Sequence, residues 1–370
     1  MMQHIVNKDL AKQVREIFAE VTRYPIDILE DNAHFEEDLG IDSVKLAEVF
    51  AVIQEKLNLP EKNSLYEEQF SDIQQVVIAI SKYYSPTKKA SQVATPKEAE
   101  QVKPQPQINA NKILQGKIVL VTGSGRGIGK VIAKHLANLG AFTIVNTFHS
   151  RNLGEELVDE INNEGGQAYH LWGSMANCNQ IKKMFEEIET NIGGLDFLVS
   201  NASNGTLGTV ESIQEKHWQK AYRTNVIGFH QAAIEASRLM KKRGGGRIVA
   251  LSSPGARGYI EHLACIGTVK AAVESLVQYM ASEFAQDNIA VNCVSPGAVE
   301  GNLIHKFPNS EQLVPHWKSL TPGYELCSPQ HIAEFIGFLL GPNSTGMNGS
   351  IVDMDGGSSV YSYTLKERFQ

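Results

Sequence analysis

Four glycines fall within the eight residues 122–129, directly after one apolar run and before a helical pattern. The apolar run is 118–121, the helical pattern covers 130–139, and a second apolar run follows at 142–145. A strand, a glycine turn, a helix and a second strand make a β-α-β unit, and free amides at such a helix start favour a pyrophosphate. Because parallel strands need crossover connections, this unit constrains the fold more than any other feature.

Further strand signals follow in the second half of the chain and alternate with helical stretches of about ten residues or more. These buried-strand candidates are residues 195–199, 247–251, 290–294 and 350–354. Such alternation predicts an α/β fold, a doubly wound parallel sheet of the Rossmann type with helices on both faces. We expect residues 113–370 to form this domain.

The first 85 residues have a different pattern, because their apolar residues recur at helical spacing. Segments 4–20 and 43–57 predict two amphipathic helices, and Ser71 and Asp72 form a suitable N-cap for a third. Residues 1–85 are therefore predicted to be a small all-α bundle.

Residues 86–112 separate the bundle from the α/β domain. They are rich in Pro, Gln, Lys, Ala and Thr and contain few large aliphatic residues. This composition is typical of a flexible linker. A linker of this length is expected to let the bundle reach its own α/β domain or that of a neighbouring subunit.

The net charge of −7 is unevenly distributed, since residues 1–85 contain 16 Asp or Glu but 8 Lys or Arg. The bundle is therefore strongly acidic, and the rest of the chain is close to neutral. An acidic module suits docking onto basic protein surfaces and argues against binding to nucleic acid or to an anionic membrane. A merely solvated acidic surface is the alternative interpretation.

The chain has no signal-peptide pattern after Met1 and no apolar run long enough to span a bilayer, so we expect a cytoplasmic protein. Its hydrophobic content of 42% and charged content of 20% are those of an ordinary globular protein. The cysteines lack CxxC spacing, which predicts reduced thiols and no metal site. They are Cys178, Cys265, Cys293 and Cys327.

Ser43 ends the run DLGIDS and begins the second predicted helix. A hydroxyl there lies beside free backbone N–H groups that favour a phosphate, although Ser and Asp also serve as plain helix caps. Residues 35–50 resemble the signature of acyl and peptidyl carrier proteins, and the resemblance extends over about 3–84. It implies that a phosphopantetheinyl transferase attaches 4'-phosphopantetheine to Ser43. It also implies that Glu48 and Glu55 meet basic surfaces of other synthase enzymes.

The spacing TGxxxGxG and several later segments resemble the short-chain dehydrogenase/reductase family over about residues 114–360. The resemblance implies catalytic roles for Asn225, Ser253 and Lys270. Ser203 departs from the family pattern, because glycine is usual at that position. The residues implied to bind the cofactor are Gly123, Ser124, Arg126, Gly127, Ile128, Gly129, Arg151, Asn201, Ala202, Lys270, Pro296 and Gly297.

The choice of cofactor depends on the residues after the second strand, where an acidic side chain would bind the adenosine ribose and repel a 2'-phosphate. Residues 145–151 contain no Asp or Glu, and Arg126 lies within residues 122–129, the glycine loop. The sequence therefore predicts NADPH rather than NADH. Arg151 and His149 would add positive charge or hydrogen bonds, unless they are ordinary solvated loop residues.

Three stretches resemble enoyl-acyl-carrier-protein reductase III, the FabL-like branch of the family. They are residues 252–261, 267–276 and 305–313. The resemblance implies that the last stretch belongs to the substrate-side helix and loop.

One expected catalytic group is missing. The family's proton donor is a tyrosine four residues before the lysine, or seven residues before it in enoyl reductases of this kind. Here Ile266 and Leu263 occupy the two positions relative to Lys270. Tyr259 is the better substitute, with a packing or substrate-lining aromatic as the alternative, and His262 is a weaker candidate.

The combined motifs predict a fused acyl carrier and NADPH-dependent reductase that acts on acyl thioesters of its own or another carrier. Enoyl reduction in fatty-acid or polyketide-type biosynthesis is the leading hypothesis, because water can protonate an enolate after the hydride has transferred. Reduction of a β-ketoacyl thioester, the second hypothesis, needs a proton at the alkoxide during that transfer. The third is a catalytically silent docking module. By analogy, the helix at 270–284 predicts a homodimer or homotetramer.

Overall fold

The computed structural model describes residues 8–22, 24–36, 38–41, 43–57, 59, 70–81 and 112–359. The chain divides into two units, Met1–Ala99 and Glu100–Gln370, and each is described by itself. The predicted linker, residues 86–112, lies outside the described residues except for Lys112.

Helices α1, α2 and α3 build the described part of the first unit, as the apolar spacing predicts. Their bounds are Lys8–Thr22, Ser43–Lys56 and Ile73–Ser81. Their buried faces share one core, in which the rings of Phe18 and Phe35 stack with centroids 5.1 Å apart. The Arg15 guanidinium donates to both carboxylate oxygens of Asp31, at 2.8 and 2.9 Å, and ties α1 to the loop that follows it. The predicted small helical bundle is confirmed.

Among the described residues of the second unit, seven parallel strands form one sheet, in the order β3-β2-β1-β4-β5-β6-β7. Their bounds are β1 Ile118–Val121, β2 Phe142–Thr147, β3 Gln167–Trp172, β4 Phe197–Ser200, β5 Gly246–Leu251, β6 Ile289–Pro296 and β7 Ile351–Met354. The predicted doubly wound parallel sheet is confirmed. The sequence analysis did not predict strand β3, which the structure shows.

In the described part of the second unit, residues 112–359, eight α-helices connect and cover the strands. They are α4 Gly127–Asn138, α5 Arg151–Asn163, α6 Cys178–Glu187, α7 Glu215–Tyr222, α8 Gly228–Lys242, α9 Ala264–Glu283, α10 Ser310–Ser319 and α11 Pro329–Leu340. A π-helical turn, Arg223–Ile227, joins α7 to α8. Such turns insert one extra residue into a helix and are frequent at functional sites.

The alternation of side chains along β1 explains why both faces of the sheet are covered. Ile118 and Leu120 lie in the core on one face, whereas Val119 and Val121 lie in the core on the other. The strand order reverses at β1, between β2 and β4. Open α/β sheets bind ligands at the carboxyl ends of their strands near this switch point.

Within the described ranges, no helix is long and apolar enough to cross a membrane. All four cysteines are free thiols, as predicted, and Cys265 and Cys293 are buried.

Candidate functional site

The glycine loop between β1 and α4 leaves space at the start of α4. Gly127 has a φ of +57°, and a Cβ built on it would meet no atom within 4 Å. The first N–H groups of a helix have no partner inside it, so this opening exposes donors to an anion. Gly129 serves a different purpose, because a Cβ there would lie 2.5 Å from Asn201 Nδ2 and 2.6 Å from the Gly123 carbonyl oxygen. Ile128 is half-buried against the core below the loop.

Two buried polar side chains hold the glycine loop. The Ser124 hydroxyl donates to the Val121 carbonyl oxygen at 2.8 Å, and Ser124 is fully buried. The Asn146 Oδ1 accepts from the Gly123 N–H at 3.2 Å, and its Nδ2 donates to the Gly173 carbonyl at 3.0 Å. The Ser124 side chain therefore shapes the loop from inside, and its predicted role in binding the cofactor stays a prediction. The sequence analysis did not identify the role of Asn146. A polar amide within an otherwise apolar strand was the available signal for it.

Asn201 and Ala202 join the end of β4 to the glycine loop. The Thr122 hydroxyl oxygen accepts from the N–H groups of Asn201 and Ala202, at 3.1 and 3.0 Å. The Asn201 Nδ2 donates to the carbonyl oxygens of Thr122 and Gly123, at 2.9 and 3.0 Å. The amide nitrogen of Asn201 is thus engaged in holding the loop, and the binding of the cofactor by Asn201 stays a prediction. Ala202 packs on Gly123 at the edge of the opening.

Polar and basic groups surround the end of β2. Thr147, the last residue of β2, has its Oγ1 2.7 Å from His170 Nε2 on β3. Arg151 begins α5 and donates from Nε to Glu155 Oε1 at 2.9 Å. Arg126 is exposed and precedes α4. A hydroxyl and two guanidinium groups near an open helix N-terminus fit a dinucleotide that carries an additional phosphate.

Lys270 lies on α9 and is only 6% exposed. Its Nζ donates to the carbonyl oxygen of Leu251, the last residue of β5, at 2.8 Å. Burial lowers the pKa of Lys270 to about 8, because the ammonium loses hydration, although Cys293 opposes this shift. The ammonium is therefore still mostly charged near pH 7, and it lies at the carboxyl end of the sheet.

Packed aliphatic side chains fill both positions where tyrosine was expected. Leu263 is 7% exposed, and a Cβ on Gly255 would lie 2.7 Å from its Cδ2. A Cβ on Gly205 would collide with Ile266 Cγ1, so Ile266 rests directly on the backbone at residue 205. Neither side chain can donate a proton, so the turn of α9 before Lys270 presents carbon atoms to its neighbours.

Ser253 caps a short 3-10 turn, Pro254–Ala256, that follows β5. Its hydroxyl oxygen accepts from the Gly255 N–H at 3.4 Å and the residue is half-buried. Since a hydroxyl both accepts and donates, this bond leaves the Ser253 hydrogen for another acceptor.

Asn225 is 2% exposed and lies in the π-helical turn Arg223–Ile227. Its Nδ2 donates to the carbonyl oxygens of Asn204 and Ala221, at 2.6 and 2.9 Å. Its Oδ1 accepts from the Ser203 hydroxyl at 2.8 Å. Ser203, the residue that replaces the usual glycine, therefore fixes the orientation of the Asn225 amide. This role of Ser203 was not predicted.

Tyr259 is 91% exposed and has no hydrogen bond to any residue that the structure describes. Its hydroxyl is therefore not enclosed with Lys270 in this conformation. His262 has a φ of +62°, and its carbonyl oxygen accepts from the Gly208 N–H at 2.9 Å. Its imidazole Nε2 lies 3.5 Å from Glu261 Oε1. The left-handed backbone at His262 turns the chain into α9.

A buried carboxylate joins the loop after β5 to α9. Glu274 is 5% exposed and accepts from the Ser252 hydroxyl at 2.6 Å. Arg257 pairs with Glu274 at 3.2 Å and donates to Asp353 at 2.8 Å and to the Ser295 hydroxyl at 3.0 Å. This network holds the segment that begins with Ser252. Its members are far apart in sequence, which left no local pattern from which to predict it.

The end of β6 also comes close to its neighbours. The strand ends at Pro296, and the Gly297 N–H donates to the Met354 carbonyl oxygen at 3.0 Å. A Cβ on Gly297 would lie 2.9 Å from Asp355 Cα, so the turn requires glycine for backbone contact.

The predicted substrate-side stretch 305–313 continues into α10. The rings of Phe307 and Trp317 meet there edge to face, with centroids 5.0 Å apart.

In the first unit, α2 begins at Ser43, as expected for an attachment serine. Leu39 and Ile41 are buried, and Gly40 between them has a φ of +67°. The Ile41 N–H donates to the Phe35 carbonyl oxygen at 2.7 Å. These anchors fix where the chain enters the helix. Residue 42 and the Ser43 side chain lie outside the described part.

Two family models match this chain. The model described as enoyl-(acyl carrier protein) reductase matches residues 123–359. The model described as phosphopantetheine attachment site matches residues 12–79.

Curated relatives resemble the second unit. A probable tetrahydroxynaphthalene reductase of Zymoseptoria tritici is 32% identical over 259 residues, which cover 67% of this chain and 96% of the relative. A 1-cyclohexenylcarbonyl-CoA reductase of Streptomyces collinus is 34% identical over 246 residues, which cover 66% of this chain and 87% of the relative.

Solved structures show the same fold. A gluconate 5-dehydrogenase from Burkholderia cenocepacia J2315, in complex with NADP and tartrate, has a TM-score of 0.65 and 27% identity. The match covers 68% of this chain and 99% of that one. A short-chain dehydrogenase from the same organism, in complex with NADP, has a TM-score of 0.62 and 28% identity, covering 66% and 98% of the two chains.

Proposed function

Because this chain belongs to the enoyl-(acyl carrier protein) reductase family and also carries a phosphopantetheine attachment domain, we propose that it reduces enoyl thioesters held on a phosphopantetheine arm. In this proposal residues 1–85 are the carrier, 86–112 the linker and 113–370 the reductase. Such a tether would raise the local concentration of substrate to the order of millimolar.

The predicted cofactors are 4'-phosphopantetheine and NADPH. The first is supported by the match of residues 12–79 to the phosphopantetheine attachment family, and Ser43, the first residue of α2, would be its attachment residue. NADPH is supported by two similar structures that contain NADP. In this chain the amides around Gly127 would hold the pyrophosphate, and Arg126 and Arg151 would offset the charge of the 2'-phosphate.

The apolar side chains at Leu263 and Ile266 are the observation that favours enoyl over ketone reduction. When bound, NADPH supplies a hydride to the β-carbon of an enoyl thioester. The electron pair of the double bond then moves onto the thioester oxygen, and water can protonate the α-carbon afterwards. A ketone instead becomes an alkoxide that needs a proton during the transfer, and neither of these two side chains can provide it.

The remaining polar groups have separate tasks in this proposal. Ser253 keeps a hydroxyl hydrogen available and would donate it to the thioester oxygen. Lys270 would hold the nicotinamide ribose with its buried ammonium. Asn225, fixed by Ser203, would hold the backbone beside the reacting atoms. Tyr259 would join the site only if its loop closed over the substrate.

The names of the relatives agree with thioester or polyketide chemistry. The Streptomyces collinus protein is named for the reduction of 1-cyclohexenylcarbonyl-CoA, a thioester. The Zymoseptoria tritici protein is named for tetrahydroxynaphthalene. We therefore place this chain in fatty-acid or polyketide-type biosynthesis, where a phosphopantetheinyl transferase and other synthase enzymes are its partners.

We also propose that the reductase forms a homodimer or homotetramer through α8 and α9. Large apolar side chains are exposed there: Ile234 is 41% exposed on α8 and Tyr279 is 67% exposed on α9. Burying such residues against a second copy would remove apolar surface from water. Light scattering of Ile234→Glu should then show a smaller mass than the wild type.

The function is tested by NADPH oxidation with crotonyl and acetoacetyl thioesters of the carrier, using the full chain. We expect turnover of the crotonyl substrate and at least tenfold less with the acetoacetyl substrate. Faster acetoacetyl turnover would favour ketone reduction instead. NADPH binding without any turnover would favour the silent docking module.

A further inference from the structure

The methyl group of Thr147 is closely confined at the end of β2. A Cβ on Gly125 would lie 2.7 Å from Thr147 Cγ2, and one on Gly154 would lie 2.9 Å from the same atom. The methyl group is therefore held between the glycine loop and α5. Thr147 is 4% exposed, and its hydroxyl meets His170 Nε2 at 2.7 Å. The hydroxyl position is thus fixed, and only its hydrogen can rotate.

The chain makes room for the His170 ring, because a Cβ on Gly154 would collide with it. Burial and the positive charge of Arg151 lower the pKa of His170 to about 4, while Glu155 opposes the shift. The imidazole is therefore neutral near pH 7 and cannot act as a phosphate-binding cation. Its contribution must come from hydrogen bonding.

We propose that His170 is a positioning residue for cofactor selectivity, whose Nε2–H donates to Thr147 Oγ1 and leaves the Thr147 hydroxyl hydrogen for a phosphate on the ribose 2'-oxygen. The inference rests on the proposed NADPH-dependent function and adds a residue to it. A neutral imidazole carries one N–H. In the opposite tautomer Nε2 would take the Thr147 hydrogen, and the hydroxyl would offer only lone pairs to an anion.

The location supports this assignment. In doubly wound sheets the adenosine ribose lies beside the residue that follows or ends the second strand, and Thr147 ends β2. Arg151 begins α5 four residues after the end of β2, and its charge contributes to the lowered pKa of His170, so a cation also lies in the neighbourhood of the imidazole. The carboxylate of Glu155 lies beside Arg151 and would repel a phosphate. It accepts a hydrogen bond from the Arg151 Nε, which offsets its negative charge.

Binding of NADPH and NADH to the full chain, followed by nicotinamide fluorescence, tests the proposal without requiring turnover. Thr147→Val keeps the shape but removes the hydroxyl, and we expect about tenfold weaker NADPH binding with NADH nearly unchanged. His170→Leu should likewise weaken the binding of NADPH and leave the binding of NADH nearly unchanged. His170→Gln, whose amide can donate to Thr147, should retain NADPH selectivity and shows whether a donor suffices.

The double variant separates an indirect role from an independent one. If His170 acts through Thr147, adding His170→Leu to Thr147→Val should cause no further loss of NADPH affinity. Adding Arg151→Leu to Thr147→Val should cause a further loss, because the guanidinium acts by its own charge.

The proposal would be overturned if His170→Leu and Thr147→Val lowered NADPH affinity additively in the double variant, or if His170→Leu weakened the binding of NADPH and NADH equally. Either result would leave the NADPH-dependent function intact. A wild type that binds neither nucleotide would overturn the function and the role of His170 together.

Discussion

Ile266 rests on the backbone of Gly205, with so little space that a Cβ on the glycine would collide with Ile266 Cγ1. Ile266 stands four residues before Lys270, at a position where the family resemblance implies a tyrosine. Gly205 belongs to the segment after β4 that also includes Ser203, the partner of Asn225. The missing hydroxyl is therefore replaced by a close apolar contact at the edge of the polar site.

Restoring a tyrosine at this position should change the preferred reaction. Ile266→Tyr would add a proton donor one turn before Lys270, so we expect acetoacetyl turnover to rise about 10- to 100-fold relative to Ile266→Phe. Ile266→Phe is the matched control, because it adds the ring without the hydroxyl. Equal acetoacetyl rates for the two variants would contradict a limiting role for the donor.

Lys270 should cost stability while it supports binding of the nicotinamide ribose. Because its pKa is about 8 in the folded chain and 10.5 ordinarily, the unfolded chain binds more protons between these values. The free energy of unfolding of the wild type minus that of Lys270→Met should therefore rise as pH increases through this window. The difference is the quantity to compare, because burial raises the pKa of Cys293 to about 12, and this makes stability fall as pH rises above 9. At pH 7 the variant should be more stable by up to roughly 3 kcal/mol, before the loss of the bond to Leu251 is counted. Urea unfolding of both proteins at several pH values measures both effects, and a difference between wild type and Lys270→Met that does not change with pH would be inconsistent with the burial of this charge.

The same shift predicts the pH dependence of the reaction. Lys270 loses its proton as pH rises through about 8, so turnover should fall above that pH. The profile is measured with saturating NADPH and a short-chain crotonyl thioester. Constant turnover to pH 10 would show that the charged ammonium is not required.

Ser203→Ala should destabilise the site, because the buried Oδ1 of Asn225 would lose its partner. An unsatisfied buried acceptor costs about 1–3 kcal/mol, and disorder of the Asn225 amide should also lower turnover. Ser212→Ala is the control, since Ser212 is exposed and bonds only within its own turn, to Thr209. Similar unfolding free energies and turnover for the two variants would contradict the assigned role of Ser203.

Gly129→Ala should weaken binding of NADPH by about tenfold or more, because its Cβ would lie 2.6 Å from the Gly123 carbonyl and force the loop to move. Gly323→Ala is the control, since a Cβ there would meet no atom within 4 Å. Fluorescence titration with NADPH compares the two variants. Unchanged affinity in Gly129→Ala would show that the loop does not hold the cofactor.

Continuous burial made most of the sheet predictable. β1 and β4 are apolar at every position or nearly so, and the residues of each are buried on both faces. β3 escaped prediction because it lies at the sheet edge, where polar residues such as Gln167 and His170 alternate with buried ones. α4 begins at Gly127 rather than at 130, since glycines give no apolar periodicity by which to detect a helix start.

The site was predictable only where a motif is local. Gly127 and Gly129 follow from the spacing of the glycine loop, and Lys270 from its resemblance to the family. The supporting contacts, such as Asn146 with the glycine loop and Glu274 with Arg257, join residues distant in the chain. Only the fold brings those partners together, so no sequence window contains them.

The central claim is that one chain carries an enoyl group and reduces it. The direct test loads Ser43 of the full chain with a crotonyl-phosphopantetheine arm, using crotonyl-CoA and a phosphopantetheinyl transferase, and then adds NADPH. We predict that NADPH absorbance falls and that the intact mass of the loaded chain increases by two hydrogen atoms, with no such change in Ser43→Ala. A loaded chain that binds NADPH but changes neither the absorbance nor its mass would contradict the claim.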